Sequence, residues 1–343
     1  DVEKDVQDRI VSAIQSFALY GFPESHAISF GLLAYASVWL KAHRPVEFYT
    51  ALLNNQPMGF YSSATLIKDA LRHGIKVYPV NIVHSQVRCT VESDHALRLG
   101  LGQVHGLNRA AAERIVAERA RHPWRSLSDF LYRTQLNRAE RRMLARIGAL
   151  NGLALATHRR DALWQVERFI DPDDLFSYAE WKQQQETHTQ QMQMQPHTIE
   201  DTPLNPMDAF ERLQSDFAGT GMTTGPHPMG LIRADLPHVI PANALNRYPH
   251  GKTVIIAGQV ICRQRPSTAG GHVFISLEDE TGISNAFVPS PTFELYRLTI
   301  TQEPFLQITG KLQNVDNVIS IYTHRVKALP FQARFQSRSH DFH

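Results

Sequence analysis

Cysteine is scarce in the 343-residue sequence, which has only Cys89 and Cys262. They form no Cys-x-x-Cys spacing, so the sequence predicts neither a disulfide framework nor a thiolate metal site, and it favours a reducing cytoplasm. The longest apolar run, Ala27–Leu40, is shorter than the roughly 20 residues that cross a bilayer, so we expect a buried helix and no membrane anchor. No leader-like segment precedes the helical pattern that starts at Asp1, and we expect a segment of a longer protein.

Signatures of catalysis are also scarce. The sequence has no G-x-x-x-x-G-K-[ST] phosphate loop, no nucleophile elbow and no His-Glu-x-x-His motif. The acidic cluster Asp171–Asp174 borders a polar stretch instead of lying on an apolar strand, so we expect a helix start there and not a two-metal site. His340 and His343 could share an ion, but a frayed tail is favoured. We therefore expect no catalytic residue and no metal site in this chain.

Charge is distributed unevenly, although the net value is only +2. Residues 98–160 contain thirteen arginines, no lysine and four acids, a balance of +9. Residues 161–210 contain ten acids and two basic residues, a balance of −8. The basic block fits either a solvated helical face or a surface that contacts phosphates, and charge alone does not separate these alternatives.

Hydrophobic periodicity predicts a multidomain chain that is mainly α at first and all-β at the end. Apolar residues recur at helical spacing up to a chain breaker at Gly74–Pro79, after which one short hairpin precedes further helices. A Gln- and Met-rich stretch is typical of a linker. The expected segments are a helical region over 1–80, a DNA-binding helical region over 81–165, an acidic and Gln-rich linker over 166–206, a connecting segment over 207–250, an OB fold over 251–330 and a tail over 331–343.

Strand-like alternation in the last third predicts five strands, with one short helix between the third and the fourth. That order is typical of an OB barrel, whose strand face and loops often bind oligonucleotides, although a barrel used only for packing fits the same pattern. The predicted strands are 253–263, 272–278, 283–288, 304–313 and 317–328.

The predicted barrel supplies candidate contacts for a single strand. Phe274 and Phe287 are candidate stacking platforms, although a core position is favoured for Phe287. Arg263, Arg265 and Lys311 are predicted to lie near the nucleic-acid backbone.

Val104–Asn108 has the form of a helix-hairpin-helix turn, in which Gly106 is followed by a residue, Asn108, that tolerates positive φ. Such a turn directs backbone amides at the start of a helix towards a phosphate. A degenerate second copy is predicted over Leu144–Leu150, with Gly148 at its turn. A plain helical turn is the alternative, but two copies inside a basic block favour DNA binding. The candidate contact residues are Gly106, Leu107, Asn108, Arg109, Arg114 and Gly148.

Residues 17–26, FALYGFPESH, and residues 33–48, LAYASVWLKAHRPVEF, resemble the fingers segment of bacterial C-family DNA polymerases, the family of the DNA polymerase III alpha subunit. Replicative members usually have Asn-Lys where this sequence has Pro23-Glu24. Together with residues 54–61, NNQPMGFY, this difference resembles the error-prone, translesion branch. Further stretches follow in the family's order, at 74–81, 98–106, 219–222, 227–228 and 277–282.

The resemblance implies a fold of fingers, tandem helix-hairpin-helix motifs and an OB fold. It implies a parent DNA-directed DNA polymerase whose Mg2+ ions are held by palm aspartates outside this chain, so the chain alone is expected to be inactive. His26 and Lys41 are the implied nucleotide-pocket candidates.

The implied partner is primed DNA, with duplex at the hairpins and single-stranded template at the OB fold. Accessory translesion proteins are expected, with contact to the sliding clamp only indirect because no aromatic clamp-binding peptide is recognisable. The alternative function is a non-catalytic DNA-binding scaffold built from the same modules.

Overall fold

The computed structural model describes most of the chain in seven stretches. A mainly α part comes first and a β barrel follows, which is the fold class that the sequence predicts. The acidic cluster Asp171–Asp174 and most of the predicted linker lie outside the described residues. The described stretches are 4–20, 24–59, 61–153, 158–169, 204–316, 318–329 and 340–342.

Four helices open the described chain, and the last two of them enter the core. Pro45 stands at the first position of the third helix, where its fixed φ suits a helix and its missing N–H costs nothing. Ser62 caps the fourth helix, because its hydroxyl accepts a hydrogen bond from the Thr65 amide at 3.2 Å. The four helices are α1 (Lys4–Tyr20), α2 (Glu24–His43), α3 (Pro45–Asn54) and α4 (Ser63–Arg72).

Helix α2 is apolar on all sides and yet exposed. Ile28 is 74% exposed, and Leu32, Tyr35 and Val38 are exposed as well. A helix of this composition normally lies in a core. Among the described residues, every side chain of Ala27–Leu40 is exposed. The prediction of a buried helix over this run is therefore wrong.

A small three-stranded sheet follows α4. Its first strand pairs in parallel with the third, Lys76 opposite Ala96, and the second pairs antiparallel with the third. The predicted hairpin is confirmed, whereas Gly74–Pro79, predicted only as a breaker, contains a strand. Its partner lies far along the chain, so local sequence does not reveal the pairing. The strands are β1 (Lys76–Tyr78), β2 (Thr90–Ser93) and β3 (Ala96–Arg98).

Four further helices pack around the same apolar core as α3 and α4. Ile67, Ile115, Phe130 and Leu144 are fully buried in it, so α3, α4 and the hairpin region share one core. The helix predicted to resume near Asn108 begins at the next residue. These helices are α5 (Arg109–Arg121), α6 (Leu127–Thr134), α7 (Arg138–Arg146) and α8 (Arg159–Arg168).

Residues 207–239, called here the junction segment, are mainly helical and pack on both halves of the molecule. They contain α9 (Ala209–Thr220) and α10 (Pro228–Ile232). Asp208 and Glu211 form a capping box that starts α9. Leu213 and Met229 share a second apolar cluster with Phe305 of the barrel. The segment predicted merely to connect two domains thus contributes to the core.

The barrel is closed and follows the predicted order. Its first strand pairs with both the second and the fourth, and its third pairs in parallel with the fifth. Alternate residues such as Ile256, Ile275 and Ile308 point inwards and are buried. The elements are β4 (Thr253–Gln264), β5 (Val273–Glu278), β6 (Ile283–Val288), α11 (Ser290–Gln302), β7 (Phe305–Val315) and β8 (Val318–Ala328).

A short strand, β9 (His340–Phe342), lies in the predicted tail. It pairs in parallel with the end of β4, His340 opposite Cys262. His343, which could share an ion with His340 according to the sequence, lies outside the described residues.

Candidate nucleic-acid interface

The first predicted hairpin has its positive φ at Gly106, where φ is 77°. Asn108, which was predicted to tolerate positive φ, instead has φ −73° and ψ 158°. Its side chain accepts a hydrogen bond from the Ala111 amide at 2.7 Å, and a capping residue needs this extended backbone. Asn108 is therefore the cap of α5, and the expectation of a left-handed residue there is wrong. Leu107 is buried beneath the turn.

The start of α5 faces solvent. The first amides of a helix have no acceptor within that helix, and Arg109 and Ala110 hold these positions with both residues exposed. The Asn108 side-chain amide donates to Glu140 Oε1 at 2.7 Å, and the same carboxylate caps α7 through the Asn137 amide. This shared carboxylate fixes α5 against α7. The arrangement presents a rigid helix start that can accept an anion.

The second predicted turn differs from the first. Gly148 has φ 80° and follows α7, but α8 begins only at Arg159, after residues 154–157, which lie outside the description. A Cβ on Gly148 would meet the Arg159 side chain at 2.8 Å. The turn is thus packed against α8 without leading directly into a helix start, and a DNA contact at Gly148 stays a prediction.

The C-terminal end of α9 lies between the two turns. The Gly219 carbonyl accepts a hydrogen bond from the His105 amide at 2.7 Å, and His105 Nδ1 lies 3.2 Å from the Ala218 carbonyl oxygen. A Cβ on Gly219 would collide with the Ile147 side chain, so only glycine allows this approach. The junction segment therefore fixes one hairpin relative to the other.

Several arginines of the basic block hold the protein together. Arg114 Nε donates to the Thr134 carbonyl at 2.5 Å, at the end of α6. Arg119 donates to the carbonyls of Ile82 and Ser85, both at 2.8 Å, and burial lowers its pKa. Guanidinium groups in such positions donate hydrogen bonds to the free backbone carbonyls of helix ends and loops. The DNA contact predicted for Arg114 stays a prediction, and one of its donors is already used.

Other arginines of the block remain open to solvent. The Arg109 side chain is 85% exposed, although its Nε lies 2.8 Å from Glu113 Oε1. Arg142 and Arg138 share Glu167, and their hydrogen bonds hold the pKa of that carboxyl down at about 2. Exposed ion pairs of this kind contribute little to stability. Their cations can therefore be redirected to a phosphate at low cost.

The barrel carries a row of aromatic rings on its outer face. Phe274 of β5 lies opposite Phe287 of β6, which lies opposite Tyr322 of β8. Ring centroids are 5.4 Å apart in the first pair and 5.7 Å in the second. Phe274 is 42% exposed and Tyr322 is 36% exposed. Three adjacent strands thus present ring surface to solvent along one line.

Phe287 is half-buried within this outer row and does not belong to the barrel core. The core position favoured for it from sequence is therefore wrong. The ring pairs with Phe274 and Tyr322 because all three side chains lie on the same side of the sheet. His272, at 5.0 Å from Phe287, and His324, at 5.7 Å from Tyr322, extend the row.

Sequence reasoning missed Tyr322, although its signal was present. Ile321, Tyr322, Thr323 and His324 alternate between buried and exposed along β8, and the tyrosine falls on the exposed side. Lys311, a predicted backbone contact, lies opposite Tyr322 in β7 and is exposed.

The two predicted arginine contacts on the barrel differ. Arg263 Nε donates to the Ile300 carbonyl at 2.6 Å and Nη2 to the Glu303 carbonyl at 2.7 Å, so this side chain anchors the end of α11. Arg265 lies over the Phe293 ring, and Nη2 is 3.3 Å from Glu294 Oε1. Arg265 is the more exposed residue of the two and the better placed for a ligand.

The two predicted nucleotide-pocket residues lie on one helix and do not converge. His26 and Lys41 are fifteen positions apart in α2, which separates them by about 22 Å along the helix axis. Lys41 Nζ is 2.7 Å from Asp69 Oδ2, which also accepts a hydrogen bond from the Tyr49 hydroxyl at 2.5 Å. One phosphate group cannot touch both candidates.

Within the described stretches, no three His, Cys, Asp or Glu side chains gather as metal ligands. Well-placed carboxylates face protein cations instead: Asp69 faces Lys41, and Glu278 faces Arg72 at 2.8 Å. This donor set does not fit a two-magnesium centre. A helix able to cross a bilayer was also not found among the described residues.

Comparison with known proteins identifies both modules. The family described as "Helix-hairpin-helix motif" matches residues 74–162, and that described as "OB-fold nucleic acid binding domain" matches residues 254–329. Among solved structures, asparaginyl-tRNA synthetase from Pyrococcus horikoshii matches 28% of this chain and 24% of that chain at 16% identity, with a TM-score of 0.24, too low to compare folds.

Curated relatives cover nearly the whole chain. Error-prone DNA polymerases from Alkalilimnicola ehrlichii and from Azoarcus sp. are each 40% identical over 99% of it. The one from Anaeromyxobacter dehalogenans is 39% identical over 98%. The chain spans about a third of the length of these relatives, 32%, 32% and 29% respectively. It is therefore a homologue of the error-prone DNA polymerases, and its two modules fit a C-terminal portion of them.

Proposed function

We propose that this chain is the DNA-gripping part of an error-prone, DNA-directed DNA polymerase that adds templated nucleotides during tolerance of DNA damage. The aromatic row Phe274–Phe287–Tyr322 carries the DNA-gripping part of this proposal, because exposed rings in line across a barrel suit stacked bases. The relatives, at about 40% identity, support the polymerase part.

Duplex DNA is the proposed ligand of the hairpin region. The start of α5 offers the amides of Arg109 and Ala110 to one phosphate, with the Arg109 guanidinium beside them. Arg138 and Arg142 add two more cations, because their exposed ion pairs with Glu167 are weak and can be exchanged for a phosphate. Contacts of this type read the backbone and not the bases, so binding is independent of sequence and falls with salt.

Single-stranded template is the proposed ligand of the barrel face. Bases stack on Phe274 and Tyr322, while Phe287 supports both rings from between them. Lys311, in the neighbouring strand, lies opposite Tyr322 and can meet the sugar-phosphate backbone. Every base has a ring face, so this surface tolerates any template sequence.

The Mg2+ ions of the reaction are proposed to be held by carboxylates elsewhere in the parent polymerase. His26 and Lys41 remain candidates for contacts with the incoming triphosphate, each at a different place because α2 separates them. Accessory proteins of damage tolerance, and through them the sliding clamp, are proposed partners, and the cytoplasm is the proposed location.

A primer-extension assay tests the proposal. The purified chain should bind a primed template in fluorescence anisotropy and add no nucleotide with magnesium or manganese, because phosphoryl transfer needs two metals about 4 Å apart on rigid carboxylates. Failure to bind primed DNA would contradict the gripping role. Templated addition that disappears in Asp173→Asn/Asp174→Asn would contradict the assignment of catalysis to another part of the polymerase.

A further inference from the structure

A buried charged cluster joins α4, the junction segment and the barrel. We call Lys68, Arg72, His227 and Glu278 the buried node. Arg72 Nη2 of α4 lies 2.8 Å from Glu278 Oε1 of β5, and Glu278 is only 3% exposed. The two residues are about two hundred positions apart in sequence, so the contact joins α4 directly to the barrel.

The junction segment completes the node. Lys68 Nζ, also buried, donates to the Gly225 carbonyl at 2.7 Å. His227 Nδ1 accepts a hydrogen bond from the Met229 amide at 3.1 Å, so the neutral ring carries its proton on Nε2, which lies 4.0 Å from Glu278 Oε2. Two separate parts of the chain, α4 and the junction segment, thus place polar groups around one carboxylate of the barrel.

The same junction segment also contacts the hairpin region. Arg159 of α8 lies 2.7 Å from Asp216 of α9, and the Gly219 carbonyl accepts the His105 amide. At the barrel end, Arg233 lies 3.1 Å from Asp279. The hairpins and the barrel are therefore attached to one segment, and the buried node closes a second connection between them through α4.

We propose that the buried node holds the barrel at a fixed position relative to the hairpins, so that Arg72 and Glu278 act as positioning residues for binding of primed DNA. This inference rests on the proposed function of the two surfaces. Buried ion pairs contribute little net stability but can select one arrangement of the parts they join. A fixed spacing raises the effective concentration of the second surface once the first has bound.

Three DNA probes test the proposal: a blunt duplex, a single strand, and a joined probe that carries both. Arg72→Met and Glu278→Gln should each lower affinity for the joined probe by about 10-fold and leave affinity for the separate probes unchanged. The double variant Arg72→Gln/Glu278→Gln, which removes both charges of the ion pair together, should lose no more than either single variant. Glu47→Gln, which removes an exposed ion pair of α3 with Arg44, is the matched control and should change nothing.

The separate probes show whether a variant is folded, because each module must be intact to bind its own DNA. Unchanged joined-probe affinity in a variant that binds both separate probes overturns the positioning role. If no variant folds, the wild-type chain decides: a flexible spacer of increasing length between duplex and single strand should give a narrow affinity optimum, and a flat dependence overturns the inference. If the wild-type chain binds neither separate probe, the proposed function fails instead.

Discussion

The hairpin region and the barrel face offer nucleic acid opposite kinds of surface. The hairpin region presents the start of α5 and exposed guanidinium groups such as that of Arg109. The barrel presents Phe274, Phe287 and Tyr322 in a row, with the exposed cation Lys311 beside it. Charge attracts any polyanion and is screened by salt, whereas ring stacking requires unpaired bases. The two surfaces are therefore suited to the two parts of primed DNA.

The comparison also separates arginines that look alike in sequence. Arg109 and Arg114 lie in the same helix, yet one is open to solvent and the other donates to the Thr134 carbonyl. On the barrel, Arg265 is exposed, whereas Arg263 anchors the end of α11. The arginines predicted to contact DNA thus include both exposed side chains and structural supports.

The largest expected effect separates the two surfaces. Phe274→Ala/Tyr322→Ala should lower affinity for a single strand by about two orders of magnitude, because each stacked ring contributes roughly 1–3 kcal/mol. Duplex affinity should stay unchanged in the same titration series. Leu295→Ala, which removes an exposed apolar side chain from α11, is the matched control. An equal loss with both DNA forms would mean that the double variant damages the fold, and no loss would remove the stacking role.

The next effect divides the basic block. Arg114→Met should lower the free energy of unfolding by about 1.5 kcal/mol, because the Thr134 carbonyl loses a charged donor. Arg109→Met should leave stability unchanged and reduce the slope of log affinity against log salt for duplex by about 0.9. Urea titrations and anisotropy at several salt concentrations measure the two quantities. The opposite assignment of effects would show that Arg114 is the phosphate contact.

A smaller effect concerns the junction between the two surfaces. Burial, together with the nearby cations Lys68, Arg72 and Arg233, lowers the pKa of His227 to about 3. As pH falls, the unfolded chain therefore binds a proton at His227 before the folded chain does. The contribution of His227 to the free energy of unfolding is complete above pH 6.5 and is lost below it, at up to about 1.4 kcal/mol per pH unit.

His227→Asn keeps an acceptor for the Met229 amide but has no such proton, so its stability should depend less on pH below 6.5. Glu278, which also faces His227 and whose pKa is raised by burial, titrates in both proteins and cancels in the comparison. Parallel losses in wild type and variant between pH 6.5 and 5 would contradict the assignment.

Local sequence predicted the elements whose signals are local. The helical pattern that resumes near Asn108 predicted α5, and period-two alternation located the barrel strands to within a few residues, Ile283–Val288 without error. It did not predict β1, because the pairing of Lys76 with Ala96 depends on a distant segment. It placed Phe287 in the core, because alternation alone does not say which side of a strand faces inwards.

The candidate site was predictable in residue type more than in role. The carbonyls that hold Arg114 and Arg263 lie twenty to forty positions away, so nothing next to either arginine in sequence indicates that it is occupied. The buried node is still harder to predict from local sequence, because Arg72 and Glu278 are about two hundred positions apart and meet only in the folded chain. Long-range contacts therefore determine which of these arginine side chains remain exposed.

The salt dependence of binding to duplex and to single strand tests the central claim most directly. Affinities of the chain for a blunt duplex and for a single strand of equal length should be measured by anisotropy over the same series of salt concentrations. We expect log affinity to fall steeply and linearly with log salt concentration for duplex, and less steeply for single strand. The salt-resistant part of the single-strand affinity should disappear in Phe274→Ala/Tyr322→Ala. Equal slopes for the two DNA forms, unaffected by that variant, would contradict the assignment of one surface to each form.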